Sequence, residues 1–579
     1  MNPYFASQVM RRLAGRFRRL YGDEAERCLA RLAMLVGRYG IEADLAAEPR
    51  PPWDHRTALI ITYGDMLHGP AEKPLATLKR FLDTHLAGLV SHVHLLPFFP
   101  YSSDDGFSVI HYRKVNPDLG SWQDVEALGE RFGLAADLVL NHVSRQSKWF
   151  GDYAHGIAPA RHYFIEADPA ADLGAVARPR SSPLLTQVAT RGGPRYVWTT
   201  FSADQIDLNY ANPDVLFEIL DILLLYISKG ARIIRLDAVA YLWKKPGTRC
   251  LHLPETHEIV KVLRDVLALV APHVLLLTET NVPHAENVSY FGEGDEAHMV
   301  YQFALPPLIL HAFLSGSTEA LRAWGAGLAD PPPGCTVLNF TASHDGIGLR
   351  PIEGLIDEAA LAWLIARIQD SGGRVSMGKG PGGALRPYEI NATWLDALNG
   401  AERPADVQCR RFLSSQAVML GLRGVPAIYF NSLFGARNDH ALAEKTGLAR
   451  SLNRTKWDVA TLERLINDPL ACERLIWEGY RGLLRVRAAH PAFHPDGRQT
   501  FLDAGDGVLA FTREAPSGDE RMLCATNVGA VERGLGAELL AGCGLAPGSG
   551  ADCIADMPLQ WRGDALVLEP FQTLWIALP

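Results

Sequence analysis

ARIIRLDAV (231–239) is apolar at nearly every position, as a strand covered on both faces must be, yet it carries Arg235 and Asp237 close to its end. Upstream, NPDVLFEILDILLLYISKG (212–230) reads as a helix with an acid in its first turn and Gly230 as its stop. Downstream, Ile259, Leu263, Val266, Leu267 and Val270 mark one helix face, and the next apolar run, HVLLLTET (273–280), follows. Helix, strand, helix, strand is the grammar of a parallel sheet. The same grammar extends both ways. ALIITY (58–63), VSHVHLLPF (90–98) and AADLVLNHV (135–143) come before, and HMVYQFA (298–304), TVLNFTASHD (336–345) and GVPAIYF (424–430) come after. Eight such runs alternating with amphipathic stretches predict an α/β fold, a (β/α)8 TIM barrel.

Two intervals are too long for one helix. Residues 144–205, after the third run, predict an inserted domain, and residues 346–423, after the seventh, predict a second insert. The second contains SMGKGPGGALRPYEIN, read as a glycine-rich loop between helical stretches. The barrel then comprises 55–143, 206–345 and 424–495. From 496 to 579, VLAFTR, MLCATNV, ALVLE and QTLWIAL predict a small β-domain. Residues 1–54 predict a helical extension packed on the main body, and Arg11, Arg12, Arg16, Arg18 and Arg19 interrupt any secretory apolar core. At 579 residues, roughly 150 per domain gives about three or four units.

Hydrophobic residues at 48% and charged residues at 21% are globular proportions. A net charge of 56 − 65 = −9 disfavours nucleic acid or an anionic membrane as partner. No run of about eighteen uncharged apolar residues occurs, so no membrane span is expected. Eight scattered cysteines without a CxxC pair argue against a disulfide framework or a zinc ribbon and favour the cytoplasm.

In such a barrel the active site lies at the C-terminal ends of the strands. There the third run presents Asp137, Asn141 and His142, the fourth Arg235 and Asp237, the fifth Glu279, and the seventh His344 and Asp345. Any one of these acids is more often a structural ion pair, but Asp237, Glu279 and Asp345 converge on one rim from three strands. Three carboxylic groups suit chemistry at an acetal: a nucleophile and an acid/base about 5–5.5 Å apart, with a third acid holding sugar hydroxyls. Arg235, on the same strand face as Asp237, would keep that carboxylate ionised.

DLVLNH (137–142), RLDAVAY (235–241), LLLTETN (275–281) and NFTASHD (339–345) resemble the four signature stretches of the α-amylase family of glycoside hydrolases. The resemblance implies Asp237 as nucleophile, Glu279 as general acid/base and Asp345 as transition-state stabiliser, with Arg235, His142 and His344 holding a glucosyl unit. HLLPFFPYSSDDGFSVIHYRKV (94–115), RPRSSPLLT (178–186), MVYQFALPPL (299–308) and SHDGIG (343–348) narrow it to the sucrose phosphorylase branch, and LPETH and RPYEIN look closest to glucosylglycerate phosphorylases. It covers roughly 55 to 495. By it, Asp104 holds glucose at its far hydroxyl, Phe107 is an aromatic platform, and Phe201 and Gln205 touch the acceptor. Asn141 matches a calcium ligand of many amylases, but the branch works without that metal, so neither metal nor cofactor is expected.

The acids alone leave the attacking group open: water, a sugar or phosphate. Phosphate needs fixed positive charge and donors on the acceptor side. The candidates are Arg180, Tyr241, Arg386, Tyr388, Arg450 and Arg454. Arg386 replaces an acidic residue of the well-studied sucrose phosphorylases, and a cation there would suit an anionic acceptor such as glycerate. The expectation is a retaining α-glucoside phosphorylase making α-glucose 1-phosphate, with a small sugar substrate and phosphate as its partners and a homodimer left open. The alternatives are a sucrose phosphorylase releasing fructose, an α-glucosidase or transglucosidase, and a non-catalytic amylase-like protein.

Overall fold

In the computed structural model, which describes residues 3–39, 52–379, 384–400 and 403–579, each of the eight apolar runs is a strand. They are Leu59–Thr62, His92–Leu95, Gly133–Val139, Ala231–Asp237, Leu275–Thr278, Met299–Tyr301, Thr336–Asn339 and Val425–Tyr429. Each pairs in parallel with its neighbours, and the eighth closes on the first with Leu59 opposite Ala427. The strands are covered on both faces: Leu59, Ile60, Val93, Ala136, Ile234, Leu276, Val300 and Leu338 are all buried.

The helices sit where the sequence puts them. Pro213–Ser228 starts on Asn212, whose side chain accepts the Asp214 N–H, and the chain leaves it through Gly230 at φ +93°. Pro254–Val270 buries the expected face. The N-terminal helices α1 (Pro3–Tyr21) and α2 (Ala25–Tyr39) pack on these two. Val9, Leu13 and Phe17 are fully buried, Arg16 lies 2.6 Å from Asp265, and Arg31 lies 2.7 Å from Asp214 and over the Phe217 ring. Three of the arginines that interrupt a leader-like reading, Arg12, Arg16 and Arg19, thus tie the extension to the barrel through Asp265 and Glu258. Residues 40–51 of the expected extension lie outside the described residues.

The insert after the third strand contains the hairpin Leu185–Thr190 and Gly193–Trp198. The second insert departs from expectation. SMGKGPGGALRPYEIN is not a loop between helices but a β-hairpin, Arg374–Lys379 against Leu385–Asn391, extended on its far side by Ile347–Gly348. Alternation of Val375, Met377 and of Tyr388, Ile390 supplies the strand period, and Gly378 lets the Tyr388 ring lie against the opposite backbone. Its expected hinge glycines Gly380, Gly382 and Gly383 lie outside the described residues. The C-terminal region is a four-stranded antiparallel sheet, Arg498–Leu502, Val508–Glu514, Arg521–Asn527 and Thr573–Leu578, with smaller sheets beside it. One disulfide joins Cys409 to Cys472, and the other six cysteines are free, so no framework exists. Among the described residues no helix is long and apolar enough to cross a membrane.

Candidate active site

The rim is organised by Arg235. Alternation puts Arg235 and Asp237 on one face of the fourth strand, and the guanidinium lies 3.0 Å from Asp237 Oδ1 while also bonding Asp137 on the third strand. Asp137 is wholly buried and takes His94 at 2.7 Å on its other side, so Arg235 is aimed by a carboxylate that is itself held. Glu279, just past the fifth strand, lies 3.9 Å from the other arm of Arg235, and its Oε2 accepts the Ala238 N–H at 3.0 Å. That N–H points at Glu279 because Ala238 adopts φ +50°, a left-handed turn costly for a residue with a Cβ. Asp237 and Glu279 are therefore spanned by one guanidinium and one peptide.

Their electrostatics differ from those of the third acid. Burial pushes both Asp237 and Glu279 up from ordinary carboxyl values, Arg235 opposes it, and their mutual repulsion and that of Asp345 add to it. The pair therefore holds a proton more readily than free carboxyls do. Asp345 is different: burial would raise it, but Arg450 at 2.5 Å, with His344 and Arg235, holds it well below the usual range.

Aromatic rings surround the acids. Phe107 stacks on His344 at 5.0 Å and 3°, and Arg235 lies over both Phe107 and Tyr301. Burial drives His344 down to about 3 and also lowers His142, so both imidazoles are neutral. His142 Nε2 lies 3.0 Å from the Phe107 carbonyl and 3.2 Å from the Gln205 amide, which reaches Asp104 at 3.2 Å. Phe201 packs against His142 and Tyr241. Asp104 and Asp105 take φ +54° and +46° in succession, and Gly106 follows where a Cβ would sit 2.6 Å from the Pro97 oxygen. That turn hands Asp105 to Arg454 at 2.5 Å, and Arg454 also donates to the His344 carbonyl. The charge of Arg454 is thus taken up by Asp105 and it lies behind His344.

The acceptor candidates divide. Arg180 lies over the Tyr388 ring at 5.7 Å, and burial, aided by the charge of Glu279, raises the phenols of both Tyr241 and Tyr388. Arg450 is no free cation: its fork holds Glu389 through two 2.8 Å bonds, and its third arm holds Asp345. Arg386 is exposed, opposite Gly378 across the hairpin, and the structure brings it to none of the other candidates among the described residues. Sequence reasoning missed Tyr63, Tyr301, Asp105, Glu389 and Arg350. Only Glu389 and Asp105 had a signal, as acids within quoted stretches. Tyr63, buried with no protein partner for its hydroxyl, lies edge-on to His344 at 5.9 Å.

The Asn141 position does not fit a metal ion. Lys244 Nζ lies 2.7 Å from both Asn141 Oδ1 and Asp207 Oδ2, so an ammonium fills the oxygen cluster, and a divalent ion beside it would meet like charge. No group of three or more metal-ligating side chains occurs among the described residues.

The sequence profile "Alpha amylase, catalytic domain" matches residues 86–321. A glucosylglycerate phosphorylase of Spirochaeta thermophila is 47% identical over 84% of this chain and 83% of its own length. One of Allomeiothermus silvanus is 44% identical over 96% of both chains. The crystal structure of a sucrose 6F-phosphate phosphorylase from Thermoanaerobacter thermosaccharolyticum superposes with a TM-score of 0.71 at 25% identity, covering 84% of this chain and 95% of its own.

Proposed function

The chain belongs to the α-amylase family, in its sucrose phosphorylase branch, and from that premise we propose that it is a retaining α-glucoside phosphorylase acting on glucosylglycerate. Asp237 attacks the anomeric carbon of the glucosyl unit while Glu279 gives its proton to the departing glycerate oxygen. A glucosyl ester of Asp237 forms as the glycosidic bond breaks. Phosphate then enters the subsite that glycerate vacated, and one of its oxygens attacks the same carbon. The ester bond breaks, Asp237 leaves as carboxylate, and the hydrogen phosphate's proton returns to Glu279. Two inversions give α-glucose 1-phosphate. The glucosyl unit rests on Phe107 between His142, His344 and Asp345, with Asp104 at its far end and Phe201 and Gln205 towards the acceptor. Lys244 takes the place of a structural cation beside Asn141 and Asp207; the reaction we propose uses phosphate as co-substrate, with neither metal nor cofactor. We assign the reaction to the cytoplasm.

The observation that carries phosphorolysis over hydrolysis is the positive acceptor side: Arg180 over the Tyr388 ring, with the Tyr241 phenol beside Glu279. A desolvated phosphate requires such fixed donors, and water does not. The test is incubation with glucosylglycerate or sucrose, with and without phosphate, assaying glucose 1-phosphate against free glucose. Phosphate-dependent glucose 1-phosphate from glucosylglycerate supports the reading. Faster phosphorolysis of sucrose moves the leaving group to fructose, free glucose formed without phosphate makes the protein a glucosidase, and no turnover makes it a binding protein.

A further inference from the structure

Arg350 is a cation beside the acceptor subsite that the mechanism above does not use. It opens the short turn Arg350–Ile352 directly after Ile347–Gly348, which runs antiparallel to the hairpin strand Leu385–Asn391 with Ile347 opposite Ile390 and Gly348 opposite Glu389. One residue on, the Leu349 N–H donates to the Tyr388 carbonyl at 3.0 Å. The other side of this backbone presses on the loop that carries Glu279: a Cβ on Gly348 would lie 2.2 Å from Asn281 Oδ1. The backbone that leads into Arg350 thus runs between the strand bearing Tyr388 and the loop bearing Glu279.

Its charge is uncompensated. Arg350 is half-buried, and among the described residues it makes no hydrogen bond or ion pair. The other arginines of the rim are all spoken for: Arg235 by Asp137 and Asp237, Arg450 by Asp345 and Glu389, Arg454 by Asp105. Arg180 resembles Arg350 in making no ion pair among the described residues, although its charge reaches Glu389, and it lies over the Tyr388 ring. Both guanidinia also favour ionisation of Tyr241 and Tyr388 against the effect of burial, so both reach the same two phenols. Two half-buried guanidinia that make no ion pair at one subsite exceed what a neutral sugar requires, because a buried charge without a bonded partner is costly to hold.

We propose that Arg350 is the specificity-determining residue of the acceptor subsite, pairing with the carboxylate of the leaving group, so that the substrates are α-glucosides of small hydroxy acids. This deepens the proposed function and rests on it. It moves the carboxylate contact from Arg386, which is exposed, to a half-buried residue that follows the backbone bonded to Tyr388.

The experiment is synthesis from α-glucose 1-phosphate with glycerate and with an uncharged acceptor, glycerol or fructose, measuring KM and kcat for wild type, Arg350→Ala, Arg350→Lys and Arg386→Ala. Arg350→Ala should raise the KM for glycerate roughly 10- to 100-fold, the loss expected for a charge-assisted bond, and change that for the uncharged acceptor less than about threefold. Arg350→Lys, which keeps the charge but not the fork, should fall between. The uncharged acceptor reports folding, and Arg350→Lys serves if the alanine variant does not fold. Equal losses on both acceptors, a rise in the KM for glucose 1-phosphate instead of glycerate, or a glycerate-selective loss in Arg386→Ala would each overturn the assignment. Wild type that glucosylates fructose but not glycerate would overturn the underlying reading, and this is seen before any variant is compared.

Discussion

Replacing Glu279 by glutamine tests the chemical step most directly. Glutamine keeps an oxygen to accept the Ala238 N–H at 3.0 Å, so the loop after the fifth strand has no reason to move. What is lost is the proton that the buried pair holds above ordinary carboxyl values. General acid catalysis contributes roughly 10²–10⁴-fold, or about 2.7–5.5 kcal/mol of barrier. Glucosylglycerate, whose alkoxide is a poor leaving group, should lose activity by about that factor. α-Glucosyl fluoride departs as fluoride and needs little protonation, and phosphate, already an anion, needs no base to attack. The variant should therefore convert glucosyl fluoride and phosphate to glucose 1-phosphate with less than about a tenfold loss. The assay follows glucose 1-phosphate from both substrates in wild type and variant, with thermal unfolding as a control. Equal proportional losses on the two substrates would refute the role of Glu279 and the reasoning from its raised protonation.

The same carboxyl sets a pH limb: because its folded-state pKa is raised, kcat/KM for glucosylglycerate should fall as pH rises through that value, while glucosyl fluoride shows no matching fall. Asp237→Asn should cut turnover by roughly 10⁴-fold or more, and product of inverted configuration from wild type would exclude Asp237 as nucleophile. The same variant should be more heat-stable at neutral pH. A carboxyl raised on folding costs stability as pH climbs above its unfolded value, and asparagine has no such cost, so the gain measured by thermal unfolding should shrink as pH falls. Lys244→Met leaves Asp207 buried without its cation and should destabilise by about 3–5 kcal/mol, with Lys244→Met/Asp207→Asn recovering part of it; unchanged thermal unfolding in the single variant would exclude the structural role of the pair.

How much of this was legible depends on how local each signal was. A strand covered on both faces must be apolar throughout, so all eight barrel strands announced themselves, and so did the helix faces between them. Strand direction then put Asp237, Glu279 and Asp345 on one rim without any knowledge of contacts, because the C-terminal ends of parallel strands share a side. The second insert was misread where glycine density outweighed a strand alternation of only a few residues.

By itself, the sequence determined the barrel, its two interruptions and the identity of the acids, since each follows from the period of side chains along one segment. The tertiary structure alone decided which charges are free to meet a ligand. Arg450 and Arg386 look alike as letters, but Glu389 and Asp345 neutralise the first, and exposure removes the second from the other candidates. Arg454 finds Asp105 across 349 residues of chain, and Lys244 finds Asn141 across 103. Arg350 gains its position only when Ile347–Gly348 joins the hairpin and brings it to Tyr388. The physical reason is that periodicity is written in neighbouring residues, whereas the net charge of a pocket is the sum over side chains that only folding brings within a few ångströms of one another.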